Sequence, residues 1–500
     1  MLVIPDFAQP VLSSFAPVFY HPTYQRFLVL TIAAVLTSGR RTVANLLRTA
    51  GALAPGHPSS YHRVLSRRRW SSPELARILV RFILDHWVPE GPVSLAGDDT
   101  VDEHRGARVF GKGCHRDPVR STHAYTAYRW GHKWVVLAIL VPFPFAKRPW
   151  ALPVLAALYR SPEKAPKAKA PAAKPRRRAA KDRTKAKAKE RAGRRAAAAA
   201  RAEVAAKGAR KAKKGGAPLT RRHKTPSELM RQLLAVLIHW FPDRQFVFAG
   251  DGGHGTHALA RFAQRHRRHL ALVSLFYANA ALYDPPPVVV GKKNGRPRQK
   301  GAKRPAPQAV VAAAERREEL EVAWYGGGRR EVETVSGTGH WHKSGAGLVE
   351  VLWVYVHDRT GTHRDSYLFS TDPTMTPARV IETYTGRWNI ETMFQEMRAY
   401  LGLETTRGWS QATVLRAAPC LFGLYSVVAL LYAALPAGAT AEGAVTYRGK
   451  SEVTFSDAIS AVRRRLWREG VFESHGQAEV FENLPPVLRE VILTAMAHAA

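Results

Sequence analysis

The sequence predicts an α/β protein of the α+β kind, in which helices flank a mixed sheet and helical regions precede and follow it. Three observations predict this class. Residues 91–275 alternate short apolar runs with helical periodicity. Residues 1–88 and 411–500 keep the spacing of apolar residues that is typical of helices. Residues 320–370 alternate apolar and polar side chains as strands do.

The N-terminal region, residues 1–88, is expected to be helical. An apolar run at Phe27 to Leu36 precedes two segments, TVANLLRTAG and SSYHRVLSRRRW. Each has a Thr or Ser start and an apolar stripe; the first ends at Gly51, and basic residues accumulate on the second. Two interpretations remain open: a helical DNA-binding domain, or an ordinary helical lobe with a solvated basic face.

The central region is expected to form the sheet. We predict three consecutive strands at VSLAG, HAYTAYRW and KWVVLAILVPF, the third apolar throughout, as a strand covered on both faces should be. Two predicted helices, SELMRQLLAVLIHWF and HALARFAQRHRRH, then alternate with two predicted strands, QFVFAG and LALVSLF. This order suits a mixed sheet flanked by helices.

Two insertions interrupt the central region. Residues 161–224 are of low complexity, with 24 Lys and Arg against four acids, so they carry about +20. They cannot bury a core, and we expect a disordered or partly helical basic loop that contacts phosphates without reading bases. Residues 276–374 begin as a linker rich in Pro and Lys and continue as a small β-rich module.

The charge and the cysteines limit the function classes. The net charge is +37, and about +17 remains outside the basic insertion, so a polyanion is the expected partner, with nucleic acid leading. Cys114 and Cys420 alone exclude a disulfide framework and a thiolate-rich zinc site. The N-terminal residues lack the pattern of a secretory signal. A cytoplasmic protein is therefore expected.

One stretch, from Leu415 to Leu435, is apolar and long enough to resemble a membrane span. Arg416 and Pro419 interrupt its first half. We therefore predict a buried helix and no membrane partner.

Acidic residues lie where the predicted sheet would gather ligands. Asp98 and Asp99 are predicted to end the first strand and Asp251 the fourth, and Glu391 lies on a helix after the β-rich insertion. Carboxylates that end buried strands need a partner, and divalent cations would neutralise them. Two such cations about 4 Å apart support in-line displacement at phosphorus. Helix caps and turns are the alternative role for these residues.

The helix IETYTGRWNIETMFQEMRAYLGL combines an apolar face with a polar one. The polar face holds Tyr384, Arg387, Glu391 and Arg398, among others. An Arg and a Glu four residues apart form either a surface ion pair or part of a phosphodiester site, because Arg matches phosphate oxygens bidentately.

The spacing Tyr384-x2-Arg387-x3-Glu391-x6-Arg398 resembles the Tyr-Arg-Glu-Lys signature of a group of bacterial insertion-sequence transposases with a ribonuclease-H-like DDE core. GDDT at Asp99 and AGDGG at Asp251 resemble the other two motifs of that group. The likeness implies a catalytic core at residues 91–275 and 375–410. Arg398 stands where the group has lysine, which keeps the charge but changes the donor geometry.

This resemblance implies cut-and-paste transposition: hydrolysis at the transposon end, often a hairpin intermediate, and attack of the freed 3′-hydroxyl on target DNA. It implies two Mg²⁺ ions, replaceable by Mn²⁺, held by Asp99, Asp251 and Glu391. Asp99 is preferred to Asp98 because it directly precedes the Thr of the motif. The resemblance also implies that Tyr384, Arg387 and Arg398 hold DNA phosphates.

Other residues follow from the same resemblance. A tryptophan of the β-rich insertion would stack on a flipped base, with Trp324, Trp341 and Trp353 as candidates; for any one of them a core role in the small β module is favoured. Basic residues after the first motif, His104, Arg105 and Lys112, could line the DNA channel or be solvated surface. The implied partners are double-stranded DNA, as terminal inverted repeats and as target, and a second copy of the chain in a synaptic complex.

Two further functions stay open at this point. A non-mobile DNA endonuclease or recombinase would use the same three acids. A catalytically inactive, basic DNA-binding relative would need none of them, and it gains nothing from carboxylates near phosphate.

Overall fold

A mixed sheet of eleven strands is the central element of the computed structural model. The structure describes residues 4–117, 120–162, 222–287, 298–442, 444–450, 452–472 and 478–498. The basic insertion at 161–224, with its predicted disorder, therefore lies almost entirely outside the described residues. Residues 1–160 and 225–500 form one compact unit.

Six strands form the first part of the sheet. They are β1 (Val93–Glu103), β2 (Gly113–Arg116), β3 (Tyr128–Val141), β4 (Trp150–Tyr159), β5 (Phe246–Gly250) and β6 (Leu270–Leu275). β3 is antiparallel to β1, β2 and β4, whereas β1, β5 and β6 run parallel. The order β4-β3-β1-β5-β6 confirms the predicted ribonuclease-H-like mixed sheet flanked by helices.

The predicted strand boundaries were wrong in two places. HAYTAYRW and KWVVLAILVPF are not two strands, because their strand residues belong to the single long strand β3. The third strand is instead β4, which contains Pro153. The register shifts between Leu137 and Ala138, opposite this proline, and a bulge is where a strand tolerates Pro. β1 also continues to Glu103, so it does not end at the two aspartates as predicted.

The insertion after β6 extends the same sheet. Its strands are β7 (Leu282–Tyr283), β8 (Glu318–Ala323), β9 (Arg329–Lys343), β10 (Gly347–Asp358) and β11 (Ser366–Ser370). β11 pairs with β6, with Leu368 opposite Leu275. The four strands predicted here are present, but they do not form a separate module. They cover the edge of β6, which would otherwise expose unpaired backbone groups.

Helices lie on both faces of the sheet, and helices also form both terminal regions of the chain. Before the sheet come α1 (Gln9–Ser13), α2 (His21–Leu36), α3 (Val43–Ala50), α4 (Pro58–Ser66) and α5 (Ser72–Trp87). Within it come α6 (Pro226–Trp240), α7 (His257–Arg265) and α8 (Pro307–Ala313). After it come α9 (Pro377–Gly386), α10 (Asn389–Tyr400), α11 (Gln411–Ala433), α12 (Phe455–Trp467), α13 (Ala478–Glu482) and α14 (Pro486–Ala497).

The terminal helical regions pack on the sheet. Thr42 caps α3 by accepting the Asn45 amide, and Gly51 ends that helix with a φ of 51°. α5 and α11 both pack on β4. Among the described residues, α11 is the one helix long and apolar enough to cross a membrane, and 67% of its apolar window is buried inside the protein. This burial agrees with the predicted core helix.

Candidate active site

The register of two parallel strands brings two aspartates together. β1 and β5 pair with Gly97 opposite Gly250, so the next residues, Asp98 and Asp251, lie side by side. Side chains alternate along a strand, so Asp98 and Asp99 point to opposite faces of the sheet. A hydrogen bond positions the side chain of Asp251, because the backbone amide of His254 donates to Asp251 Oδ1 over 3.1 Å.

A buried arginine joins Asp98 to the helical segment. Arg387 Nη1 lies 2.9 Å from Asp98 Oδ2, and Arg387 Nη2 lies 3.0 Å from Glu391 Oε1. Only 8% of the Arg387 side chain is exposed, against 18% for Asp98 and 30% for Glu391. We refer to Asp98, Asp251 and Glu391 as the carboxylate cluster. Its members come from three segments that are far apart in sequence.

A tightened turn positions Arg387. The predicted single helix is two helices, α9 and α10, joined at Arg387 and Trp388. Here backbone amides bond three residues back, as in the Arg387 amide to the Tyr384 carbonyl and the Ile390 amide to the Arg387 carbonyl. The predicted apolar face of α10 is confirmed, because all its members are buried: Ile390, Met393, Phe394, Met397 and Leu401.

The electrostatics of the cluster are those of a crowded acidic site. Burial, with a further contribution from the charge of Asp251, raises the pKa of Asp98 to about 7, although the nearby Arg387 cation opposes the shift. Burial disfavours the Arg387 cation, but the neighbouring acids outweigh burial and raise its pKa. Burial lowers the pKa of His254 beside Asp251, so its ring is held neutral.

These three acids lie within regions that match known families. Residues 14–331, nearly two thirds of the chain, match the family described as DDE superfamily endonuclease. The chain belongs to the DDE superfamily endonucleases. Residues 345–422, which contain Glu391, match the family described as archaeal putative transposase ISC1217. No curated protein matches this DDE superfamily member.

The solved structures with a slight likeness to this DDE superfamily member include a transposase complex. It is described as the cryo-EM structure of a piggyBac transposase synaptic complex with hairpin DNA. The match has a TM-score of 0.36 and 9% sequence identity, and covers 96% of this chain and 76% of the other. So slight a likeness supports neither fold nor function.

In this DDE superfamily member, Asp99 lies away from the carboxylate cluster. Its Oδ2 is 2.9 Å from Lys133 Nζ, on the face of the sheet opposite to Asp98. The sequence motif favoured Asp99 as the metal ligand. In the structure, however, it is Asp98 that lies beside Asp251 and Arg387. Strand alternation signals that only one of the two aspartates can join the cluster, but not which one.

The other residues of the signature surround Arg387 and β1. The ring of Tyr384 lies 5.8 Å from the Arg387 guanidinium, and burial raises the pKa of Tyr384 to about 12. Arg398 donates from Nη2 to the Thr100 hydroxyl, and its Nε lies 3.4 Å from Glu404 Oε1. Thr100 is two residues from Asp98, on the same face of β1.

The three candidate tryptophans differ in exposure. Trp341 and Trp353 are core residues, with 7% and 2% exposed, so neither ring can stack on a base where it stands. Trp324 is partly exposed and packs 5.2 Å from the ring of Tyr325. Sequence reasoning missed Trp388, which is 44% exposed and 5.8 Å from Tyr325. Its signal was its place beside Arg387 in the signature.

The carboxylate cluster fits a hard divalent cation by its donors. Its ligands are carboxylate oxygens, and burial together with Asp251 already disfavours the charge of Asp98. Enzymes of the DDE superfamily use divalent metals. In the part of the chain that the structure describes, the ligand atoms of Asp102, His104 and His132 lie within 4.8 Å of one another, whereas those of the carboxylate cluster do not. Instead, Arg387 stands between two of them.

Proposed function

We propose that the chain is a DNA transposase of the Tyr-Arg-Glu-Lys signature group that cuts and rejoins the ends of its own insertion sequence. One observation carries this proposal: a buried arginine joins Asp98 to Glu391, and Asp251 lies beside Asp98, although the three acids come from distant segments. Membership of a family of DDE superfamily endonucleases and the net charge of +37 support DNA as the substrate.

We assign the metal ligands to Asp98, Asp251 and Glu391, with Asp98 in place of Asp99. The assignment rests on the neighbouring register of Asp98 and Asp251 and on the pairing of Asp99 with Lys133. Two Mg²⁺ ions, or Mn²⁺, would activate the attacking hydroxyl and stabilise the leaving oxygen at phosphorus. The protein's own part is to fix the three acids in place and to offset the charges of Asp98 and Glu391 with Arg387.

Arg387 has two roles in this proposal. In the protein without DNA, its guanidinium neutralises Asp98 and Glu391. The planar guanidinium can also bind two phosphate oxygens. Arg387 would therefore contact DNA once another cation neutralises the acids. Tyr384 packs beside it and limits water around the guanidinium. Arg398, at Thr100, would hold a phosphate further along β1.

We further propose a hairpin route with a base stacked on the aromatic residues beside Arg387. Trp324, Tyr325 and Trp388 form that group, and Trp388 has the most exposed ring. The enzyme would act in the cytoplasm, as a homodimer that pairs two inverted repeats. Changing Trp388 to Ala should reduce hairpin formation but spare the first nick, and Trp409→Ala, at another exposed tryptophan, is its control.

The test compares four variants with wild type on linear DNA carrying the inverted repeats that flank the coding sequence, with Mg²⁺. Asp98→Asn, Asp251→Asn and Glu391→Gln should abolish cleavage while DNA binding is kept. Asp99→Asn is the matched control, since it removes one carboxylate from the opposite face. It should retain most of the activity.

The products separate the possible outcomes. Specific breakage at the repeat followed by joining to a second DNA would support a transposase, and breakage without joining would support a non-mobile endonuclease. Binding without cleavage by the wild type, in Mg²⁺ or Mn²⁺, would refute the catalytic proposal. Loss of cleavage in Asp99→Asn but not in Asp98→Asn would reverse the ligand assignment.

A further inference from the structure

A second cluster of ligand-type side chains lies further along β1. Asp102, His104 and His132 are buried, with side-chain exposures of 0%, 5% and 2%. Asp102 lies opposite His132 in the pairing of β1 with β3. It is four residues from Asp98, about 13 Å along a strand. We call these three residues the Asp-His-His cluster. It is separate from the carboxylate cluster.

The spacing of the Asp-His-His cluster suits one small cation. His104 Nε2 lies 3.2 Å from Asp102 Oδ2, and His132 Nδ1 lies 3.6 Å from Asp102 Oδ1. One potential ligand atom from each of the three side chains lies within 4.8 Å of the other two. Two atoms bound tetrahedrally to one zinc ion at about 2.1 Å stand about 3.4 Å apart. The two histidine-to-carboxylate distances, each to a different oxygen of Asp102, lie on either side of that value.

The hydrogen bonding of His132 leaves an unusual contact. Its Nε2 lies 2.9 Å from the carbonyl oxygen of Phe110. A carbonyl only accepts, so Nε2 carries the hydrogen, and in the neutral ring Nδ1 then has a lone pair. That lone pair faces Asp102 Oδ1, which is also an acceptor. A cation between them would convert this repulsion into two bonds.

Asp102 also lacks an ordinary counter-charge. Its carboxylate is fully buried, and its partners are the two histidines and the backbone amide of His132 at 3.1 Å. In the described ranges of the chain, no lysine or arginine forms an ion pair with it. A buried carboxylate without a cation costs several kcal/mol. A bound cation would supply the positive charge that the described side chains do not provide.

We propose that Asp102, His104 and His132 bind one divalent transition-metal ion, with Zn²⁺ the preferred ion. Two imidazoles and one carboxylate favour such an ion over Mg²⁺, which prefers oxygen ligands alone. The Phe110 carbonyl fixes the orientation of His132 from behind, as partners of metal-binding histidines do. The ion would tie β1 to β3 and so brace the strand that carries Asp98. A water molecule would complete its coordination.

The test uses the full chain with Asp251→Asn and Glu391→Gln, which removes the carboxylate cluster as a competing metal site. This background makes the result independent of the proposed function. The metal-free protein is titrated with Co²⁺, followed by its visible absorption, and separately loaded with Zn²⁺ for metal analysis. We expect one ion per chain and a rise in the thermal unfolding midpoint with Zn²⁺.

His132→Gln and Asp102→Asn should weaken binding by 10-fold or more and remove the Zn²⁺-dependent rise. The matched control is His257→Gln, which changes another buried histidine, whose Nε2 donates to the Trp341 carbonyl outside the cluster. His104→Gln is a third probe in case one variant fails to fold. Equal Zn²⁺ content in the His257→Gln control and the cluster variants would overturn the proposal. The proposal would also be overturned if the metal-free protein gave no Co²⁺ absorption on titration, because a proton shared between these side chains would then take the place of the ion.

Discussion

Removing the charge of Asp98 should change how the stability of the metal-free protein depends on pH. Burial and the nearby Asp251 raise the pKa of Asp98 from 3.8 to about 7 in the folded protein. The folded state therefore holds this proton more tightly than the unfolded state does, and ionisation opposes folding. The cost is absent below about pH 4, grows as the pH rises, and is complete above about pH 7.

The magnitude follows from the two pKa values. Moving the pKa from 3.8 to about 7 corresponds to about 4 kcal/mol of lost stability at high pH, as an upper value. Solvent reduces it, because 18% of the side chain is exposed. About 3 kcal/mol of this loss would fall between pH 5 and 8. Asp98→Asn cannot ionise, so its stability relative to wild type should rise by up to that amount over this range.

The assay is urea unfolding in the presence of a chelator at pH 5, 6, 7 and 8. Asp99→Asn is the control, since it removes the adjacent carboxylate that faces Lys133 instead. The reasoning is refuted if the stability of Asp98→Asn follows the same pH course as that of wild type. Mg²⁺ at pH 8 should then stabilise wild type more than Asp98→Asn, because an ion that binds the carboxylate removes its cost.

Three further changes test other parts of the structure. Arg387→Gln leaves the neighbouring carboxylates without their counter-charge, so urea unfolding without metal should show a loss of about 3–5 kcal/mol, largely restored by Mg²⁺; no rescue by Mg²⁺ would count against a metal there. Gly131→Ala would bring a methyl group within 1.8 Å of a carbonyl oxygen of β1, so a loss of about 1–3 kcal/mol is expected, and an unchanged unfolding midpoint would contradict this close approach. Tyr425→Phe removes the hydroxyl that donates to Glu396 over 2.6 Å, and should cost about 1–3 kcal/mol in the same assay, whereas wild-type stability would show the bond to be dispensable.

The strand and helix pattern of the core could be read largely from the sequence. The runs that became β1, β5 and β6 are short and apolar, and the helices between them keep a clear apolar face. The strand predictions were wrong where the local sequence pattern and the pairing of the strands disagree. β3 begins with the exposed aromatic residues Tyr128 and Trp130, which resembled part of a separate strand. β4 carries a proline that only the bulge against β3 accommodates.

The β-rich insertion shows the same limit. Its strands were predicted from their alternation, because that pattern is local. Their attachment to β6 was not predicted, since it depends on an open strand edge formed by residues far away in sequence. Alternation tells which residues share a face, but not which edge a strand joins.

The sequence by itself determined the basic charge, the order of the acidic motifs, and the spacing of Tyr384, Arg387 and Glu391 on one helical segment. Only the tertiary structure decided that Asp98 rather than Asp99 faces Arg387, and that Asp102 meets His132. The physical reason is strand register. Alternation fixes that neighbouring side chains point in opposite directions, but the pairing of β1 with β3 and β5 decides which direction is inward.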